Sequence, residues 1–373
     1  MQKNPFFASL LGIIIVGVII GIIASVLQKL GNPPNMGICV ACFERDIAGA
    51  LGLHRFAATQ YIRPEIIGFV LGATIAAIIF KEFKARTGSS PVIRFLLGVF
   101  AMIGALIFLG CPWRALLRLA GGDLNALLGL AGLVTGIFIG VLFLRSGYNL
   151  GRSRKTKQAV GWILPGLMIG LLLLAIFTPQ MSKDGPVFSS IKGPGSLHAN
   201  IIISLIAGLV IGFLAQRTRF CTMGSIRDVI LIKDFHLISG VLALLLTSSV
   251  TNLILGQFKL GFTGQPVAHS NHLWNFLGMT LAGLCFSLSG GCPGRQLFLS
   301  GEGDGDAAIF VLGMIVGAGF AHNFNLAGSP DKITGGVIKV GGISTIGIVA
   351  LIIGLAFCLV IGFTMRDKSF KGE

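Results

Sequence analysis

Charge is what this sequence has least of. Asp, Glu, Lys and Arg together make up 12% of its 373 residues, against about 25% in an ordinary soluble domain. Such a chain cannot cover itself with a water-facing surface. It also lacks a Walker motif, a Rossmann fingerprint and a haem-attachment signature, so transport energised by ATP within the chain is excluded and no cofactor is implied. Cys39-x-x-Cys42 has no second Cys-x-x-Cys or suitably spaced histidine to complete a zinc site, and no metal is expected. The acidic run Gly301-Glu302-Gly303-Asp304-Gly305-Asp306 fails as a calcium loop. Ala307 stands where a glycine is required and Gly313 where the closing Glu belongs, so the run reads as a turn. His54, His198, His236, His269, His272 and His322 are scattered and receive no role.

What the chain does have is hydrophobic residues, at 54%, and 54 glycines. Apolar runs of about 20 residues, the length that crosses a bilayer, recur throughout. Ten spans are predicted: 7–28, 63–82, 92–110, 124–144, 160–178, 200–216, 236–256, 273–290, 306–322 and 341–364. The first is too long for a signal-peptide core and has no small-residue cleavage site after it, so it is expected to stay. The glycines fit close helix packing in lipid. The net charge of +15 lies mostly between spans and reads as an orientation signal, not as a nucleic-acid footprint. Placing the Arg145–Lys157 loop, Lys81, Lys84, Arg86, Arg217, Arg219, Arg366 and Lys368 in the cytoplasm puts both termini there. Arg55 and Arg63 then fall outside.

The sequence repeats itself. Cys39-Val40-Ala41-Cys42-Phe43-Glu44-Arg45-Asp46 returns as Cys221-Thr222-Met223-Gly224-Ser225-Ile226-Arg227-Asp228, a shift of 182. Gly110-Cys111-Pro112-Trp113-Arg114, closing on Gly122-Asp123, returns as Gly291-Cys292-Pro293-Gly294-Arg295, closing on Gly303-Asp304, a shift of 181 from Cys111 to Cys292. A whole module has been duplicated: residues 1–178 and 199–373, joined by a linker, 179–198, with Pro179, Pro186 and Pro194. Five spans per module is an odd number, so the second module enters the membrane inverted, an architecture recurrent among transporters. The motifs of the first module then dip in from outside and those of the second from inside. All four cysteine motifs read as re-entrant half-helices, tolerated at membrane depth only where they are buried in protein or line a cavity.

The chemistry points to an anion. Proline after Cys111 and Cys292 sits at the first helical position, making each cysteine the N-cap of a half-helix, where free N–H groups and the dipole attract negative charge. Neutral thiols there would act as soft, weak donors. Arg114 and Arg295, three residues into these helices, occupy a position that disfavours a cation and so require a negative partner. Asp46 or Asp228 would make it structural, a permeating anion functional. Arg45 with Asp46 and Arg227 with Asp228 belong to the same constellation. Cys285 and Cys358, mid-span, read as inert packing. Cys39 and Cys42 also have redox spacing, which leaves a membrane thiol oxidoreductase as one competing function and a pore for a harder anion as another.

These motifs, over nearly the whole chain, resemble the YeeE/YedE family of sulfur-compound transporters, and the Cys39–Asp46 and Gly110–Arg114 forms look closest to YedE-like members proposed to carry selenium compounds. The resemblance implies an all-α polytopic membrane protein, not an enzyme. It implies an hourglass-like, inverted-repeat bundle in the inner membrane, with cysteines at two waists passing a thiosulfate-like or selenium-containing anion inward. By motif those cysteines are Cys39, Cys111 and Cys292, with Cys221 as the pseudo-symmetric fourth. The resemblance also implies a small cytoplasmic sulfur-carrier protein as partner. Two departures bear on selectivity: Cys42 is an extra thiol, and Trp113 stands where the commoner pattern has a small residue, as at Gly294.

Overall fold

A computed structural model describes residues 6–178, 180–181, 186–335 and 337–367; Pro179 and Lys368 lie outside them. The first half builds helices α1 (Leu10–Lys29), α2 (Val40–Ala50), α3 (Pro64–Ile79), α4 (Pro91–Phe108), α5 (Pro112–Ala120) and α6 (Asn125–Arg145). The single turn α7 (Gln158–Gly161) and α8 (Ile163–Phe177) follow. The second half builds α9 (Ile201–Thr218), α10 (Thr222–Ile232), α11 (His236–Ile254), α12 (His272–Ser289), α13 (Pro293–Gly301), α14 (Gly305–Asn323) and α15 (Thr345–Thr364). Eight helical stretches among the described residues are long and apolar enough to cross a membrane. The shorter apolar helices α3 and α8 join them, and all ten predicted spans fall on helices. The protein is a helical, multi-span membrane protein. Large apolar residues such as Leu246, Ile254, Ile352 and Phe363 point outward from it and stay exposed, as lipid-facing side chains do.

Helix ends follow local chemistry. Ser9, Asn200, Asp304 and Ser344 cap their helices through side-chain oxygens, satisfying N–H groups that have no partner within the helix. Proline occupies the first turn of α3, α4, α5 and α13. The closing Gly-Asp of each module finds a purpose here. Asp304 accepts from the N–H groups of Asp306 and Ala307, and Asp123 accepts from the Asn125 N–H, so each starts the next long helix. The acidic run is thus a turn and cap, with Asp306 holding Thr87 and Ser89.

Small residues set which helices pair and in which direction. Gly17 and Gly21 of α1 lie against Gly240 and Leu244 of α11, and Ser25 donates to the Ser248 carbonyl, so these helices run parallel. In the same way α3 runs parallel to α9 (Glu65 and Gly68 at Gly208, Phe69 at Gly212). The pairs α4 with α14 (Phe95 at Gly313, Val99 at Gly317) and α6 with α12 (Gly132 at Phe276, Gly136 at Thr280) are also parallel. Helices α4 and α12 cross antiparallel: Arg94 donates to the Ser289 carbonyl, Gly104 meets Ala282, and Ile107 meets Gly278. Strand β1 (Arg86–Thr87) pairs antiparallel with β2 (Arg154–Lys155), tying the basic loop to the turn after α3.

Arg63, the misfit of the orientation count, is not a loop cation. It is fully buried, bonds Asp46 at 2.8 Å and donates to the carbonyls of Pro194 and Leu197. A cation neutralised inside the protein carries no orientation signal, because the positive-inside bias acts on loop charge.

Candidate thiol-lined path

Cysteine caps all four short helices: Cys39 for α2, Cys111 for α5, Cys221 for α10 and Cys292 for α13. The short helices match in length across the repeat, 11 and 9 residues in each half. Cys39 Sγ accepts from the Cys42 N–H at 3.4 Å and Cys221 Sγ from the Gly224 N–H at 3.2 Å. Sulfur here takes the capping part that oxygen usually plays. Cys111 and Cys292 make no such cap bond, and their thiols face the other member of each pair. Cys39 and Cys111 lie Sγ to Sγ at 3.7 Å, and Cys221 adjoins Cys292. The structure therefore groups the four cysteines as two thiol pairs, each between the positive ends of two short helices.

An aromatic cluster surrounds the region where the two halves meet. The Trp113 ring lies 5.8 Å from Phe69, 5.9 Å from Phe220 and 6.1 Å from Phe298, and all four are buried. A side chain at position 294 would sit 3.1 Å from the Trp113 ring. The residues at equivalent positions of the two modules, Trp113 and Gly294, are thus complementary: glycine leaves the room that tryptophan fills.

The expectation that Asp46 or Asp228 neutralises Arg114 and Arg295 is corrected. Arg114 donates to the Leu109 carbonyl at the end of α4, to the carbonyls of Asn35, Pro266 and Val267 at 3.1–3.2 Å, and to Cys42 Sγ at 3.8 Å. The carbonyl end of α4 supplies the partial negative charge that no carboxylate needs to bring. Arg295 pairs instead with Glu302 at 3.3 Å. Asp46 is held between Arg45 and Arg63, each 2.7 Å away, and Asp228 by its neighbour Arg227 at 2.8 Å. Arg45 and Arg227 pair with the aspartates next to them in sequence, whereas Arg63 reaches Asp46 only through folding.

A cavity of about 540 Å³ opens at the second pair. Arg217, Arg219, Cys221, Arg227, Asp228 and Arg295 are among its lining residues. It sits where α1 begins and α3 ends, since Phe7 and Glu82 line it too. Burial works to raise the Glu82 carboxyl, but hydrogen bonds from Gln216 and Arg217 outweigh it and hold Glu82 below its ordinary value. Four arginines line the cavity against the carboxylates of Glu82, Asp228 and Asp234, a small excess of positive charge. Gly290 borders it with φ of +87° and no atom within 4 Å of where a Cβ would lie. Gly290→Ala is therefore expected to cost about 1–2 kcal/mol from left-handed backbone strain alone, read as a lower melting temperature in detergent. The equivalent residue, Leu109, carries φ of +64°.

Cys42 Sγ donates to the Leu109 carbonyl at 3.7 Å and also adjoins Cys39, so Cys39 has both Cys111 and Cys42 as thiol neighbours. Cys285 and Cys358, read as inert packing, lie 3.4 Å apart, buried between α12 and α15. Among the described residues no group of three or more His, Cys, Asp or Glu could hold a metal ion.

The family model described as Sulphur transport matches residues 217–371. An uncharacterized protein of Methanocaldococcus jannaschii is 32% identical over 103 residues, covering 25% of this chain and 90% of that protein. The thiosulfate transporter TsuA of Escherichia coli K12 is 29% identical over 107 residues, covering 29% of this chain and 30% of its own length. With ten apolar helices and these matches, the chain belongs to the YeeE/YedE family of sulphur-transport membrane proteins.

Proposed function

We propose that this protein carries a small sulfur- or selenium-containing anion, thiosulfate-like in chemistry, inward across the inner membrane, handing it from one thiol pair to the other. The observation that carries this reading is the placing of two cysteine pairs at the N-termini of four short helices, Cys39 with Cys111 and Cys221 with Cys292. Helix N-termini attract the negative charge, and thiols match the polarisable sulfur or selenium of such an anion. The thiosulfate transporter among the relatives supports the substrate class. The arginine-lined cavity gives the anion a wide basin at Cys221, and we place there its transfer to a small cytoplasmic sulfur-carrier protein. Trp113 and Phe220, each within two residues of a pore-path cysteine, pack against each other, and in this reading passage requires that aromatic cluster to move.

Residues 1–178 and 199–373 are, in this reading, inverted repeats, the linker lies outside and both termini are cytoplasmic. Helix directions support the inversion. Asn32 after α1 binds Glu65 at the start of α3, while Phe7 before α1 and Glu82 after α3 share one cavity. Helix α3 is thus antiparallel to α1, and α9, parallel to α3, runs opposite to its equivalent α1. The crossing of α4 and α12, also equivalents, is antiparallel as well. The short helices α2, α5, α10 and α13 are then the re-entrant elements.

Uptake into proteoliposomes tests the substrate class. Radiolabelled thiosulfate or a selenium analogue is expected to accumulate inside, and sulfate of the same charge is not. Equal entry of sulfate would leave only a pore built from arginines and helix dipoles.

A further inference from the structure

Glu44 stands apart from every other charged residue near the thiol pairs. It lies on α2, five residues after Cys39, and is fully buried. Neither of its carboxylate oxygens has a hydrogen-bond partner among the described residues. The cations around it are engaged elsewhere: Arg45 and Arg63 hold Asp46, and Arg114 holds carbonyls. The elements packed against α2 bring further titratable groups: Arg63 and Glu65 at α3, Arg295 and Cys292 at α13, and His322 on α14. The ionisable group that acts on Glu44 is Cys111, half of the first thiol pair. Position 226, its equivalent in the second module, holds Ile226, so the duplicated helix does not need a carboxyl there to fold. An unpaired buried polar group costs stability, and a bare carboxylate beside an anion site would repel the ligand.

Resting on the transport reading above, we propose that Glu44 is an anion-binding residue of the first thiol pair, held as the neutral carboxylic acid so that its O–H donates to the anion seated at Cys39 and Cys111. Apolar sites elsewhere in proteins keep a carboxylic acid neutral for the same purpose. In this reading the donor's partner is the substrate. The first module thereby adds a carboxylic-acid donor to its thiols, whereas the second, with Ile226 at the equivalent position, has its thiols and the arginines of its cavity.

Two variants and one spectroscopic measurement test this. Glu44→Ile copies the second module, removes an unsatisfied polar group, and is expected to melt no lower than the wild type. Its KM for thiosulfate in proteoliposomes should rise about ten- to a hundred-fold, the worth of one hydrogen bond to a charged group. Glu44→Gln, neutral and still a donor, should restore most of the affinity. In infrared difference spectra at neutral pH, wild type minus Glu44→Gln should show a carboxylic-acid C=O band that shifts when thiosulfate is added. An unchanged KM in Glu44→Ile, or a carboxylate band in place of the acid band, would overturn the inference. Absence of thiosulfate uptake by the wild-type protein would instead remove the substrate reading on which it rests.

Discussion

Alanine at Cys39, Cys111 or Cys292 is expected to lower uptake of the sulfur-containing anion about ten- to a hundred-fold, the equivalent of losing one hydrogen bond to a charged group. Serine at the same positions decides why. It keeps a donor of similar size but exchanges a soft sulfur for a hard oxygen. Were hydrogen bonding alone at stake, serine would fall between wild type and alanine. If soft contact carries selectivity, serine drops to the alanine level. The geometry favours the second result, because Cys39 and Cys111 meet sulfur to sulfur at 3.7 Å, a contact two hydroxyls would close to a shorter O–H···O bond. Cys285→Ser and Cys358→Ser serve as controls and should leave uptake intact, apart from a folding cost of burying a hydroxyl. Equal loss at all five positions would mean that the cysteines only pack, and full activity in the triple serine variant would remove the thiol relay altogether.

Asp46→Ala should be the most damaging single substitution to stability outside the thiols, at about 3–5 kcal/mol. Asp46 is fully buried and neutralises two buried guanidiniums, those of Arg45 and Arg63. Removing it leaves both uncompensated, and Arg63 also anchors the linker through Pro194 and Leu197. The repeat supplies an internal comparison. Asp228, at the equivalent position, pairs with an Arg227 side chain that is 32% exposed, and water screens such a pair to about 0–1 kcal/mol. Thermal unfolding of the purified protein in detergent should therefore separate Asp46→Ala widely from Asp228→Ala. Equal shifts would show that the ion pair of the first module does not hold α2, α3 and the linker together.

The contrast between Asp46 and Asp228 marks the division between what could be read from the chain and what could not. The sequence by itself determined the membrane class, the ten apolar helices and the repeated cysteine motifs, because hydropathy and repetition are properties of residues in order. Cys111-Pro112 and Cys292-Pro293 announced half-helix N-termini for a local reason: proline fits only the first turn. Partnership was another matter. Arg114 looked like a cation in want of an aspartate, and only folding brought the carbonyls of Asn35, Pro266 and Val267 to it. Arg63 looked like a loop charge until tertiary structure buried it against Asp46. The pairing of Cys39 with Cys111 and the fit of Trp113 over Gly294 join residues tens to hundreds of positions apart. Such contacts depend on which helices glycine lets approach and in which direction, and no local pattern encodes that. Glu44 reads as one acidic residue in a motif; that its carboxylate oxygens have no hydrogen-bond partner among the described residues is a fact of three dimensions alone.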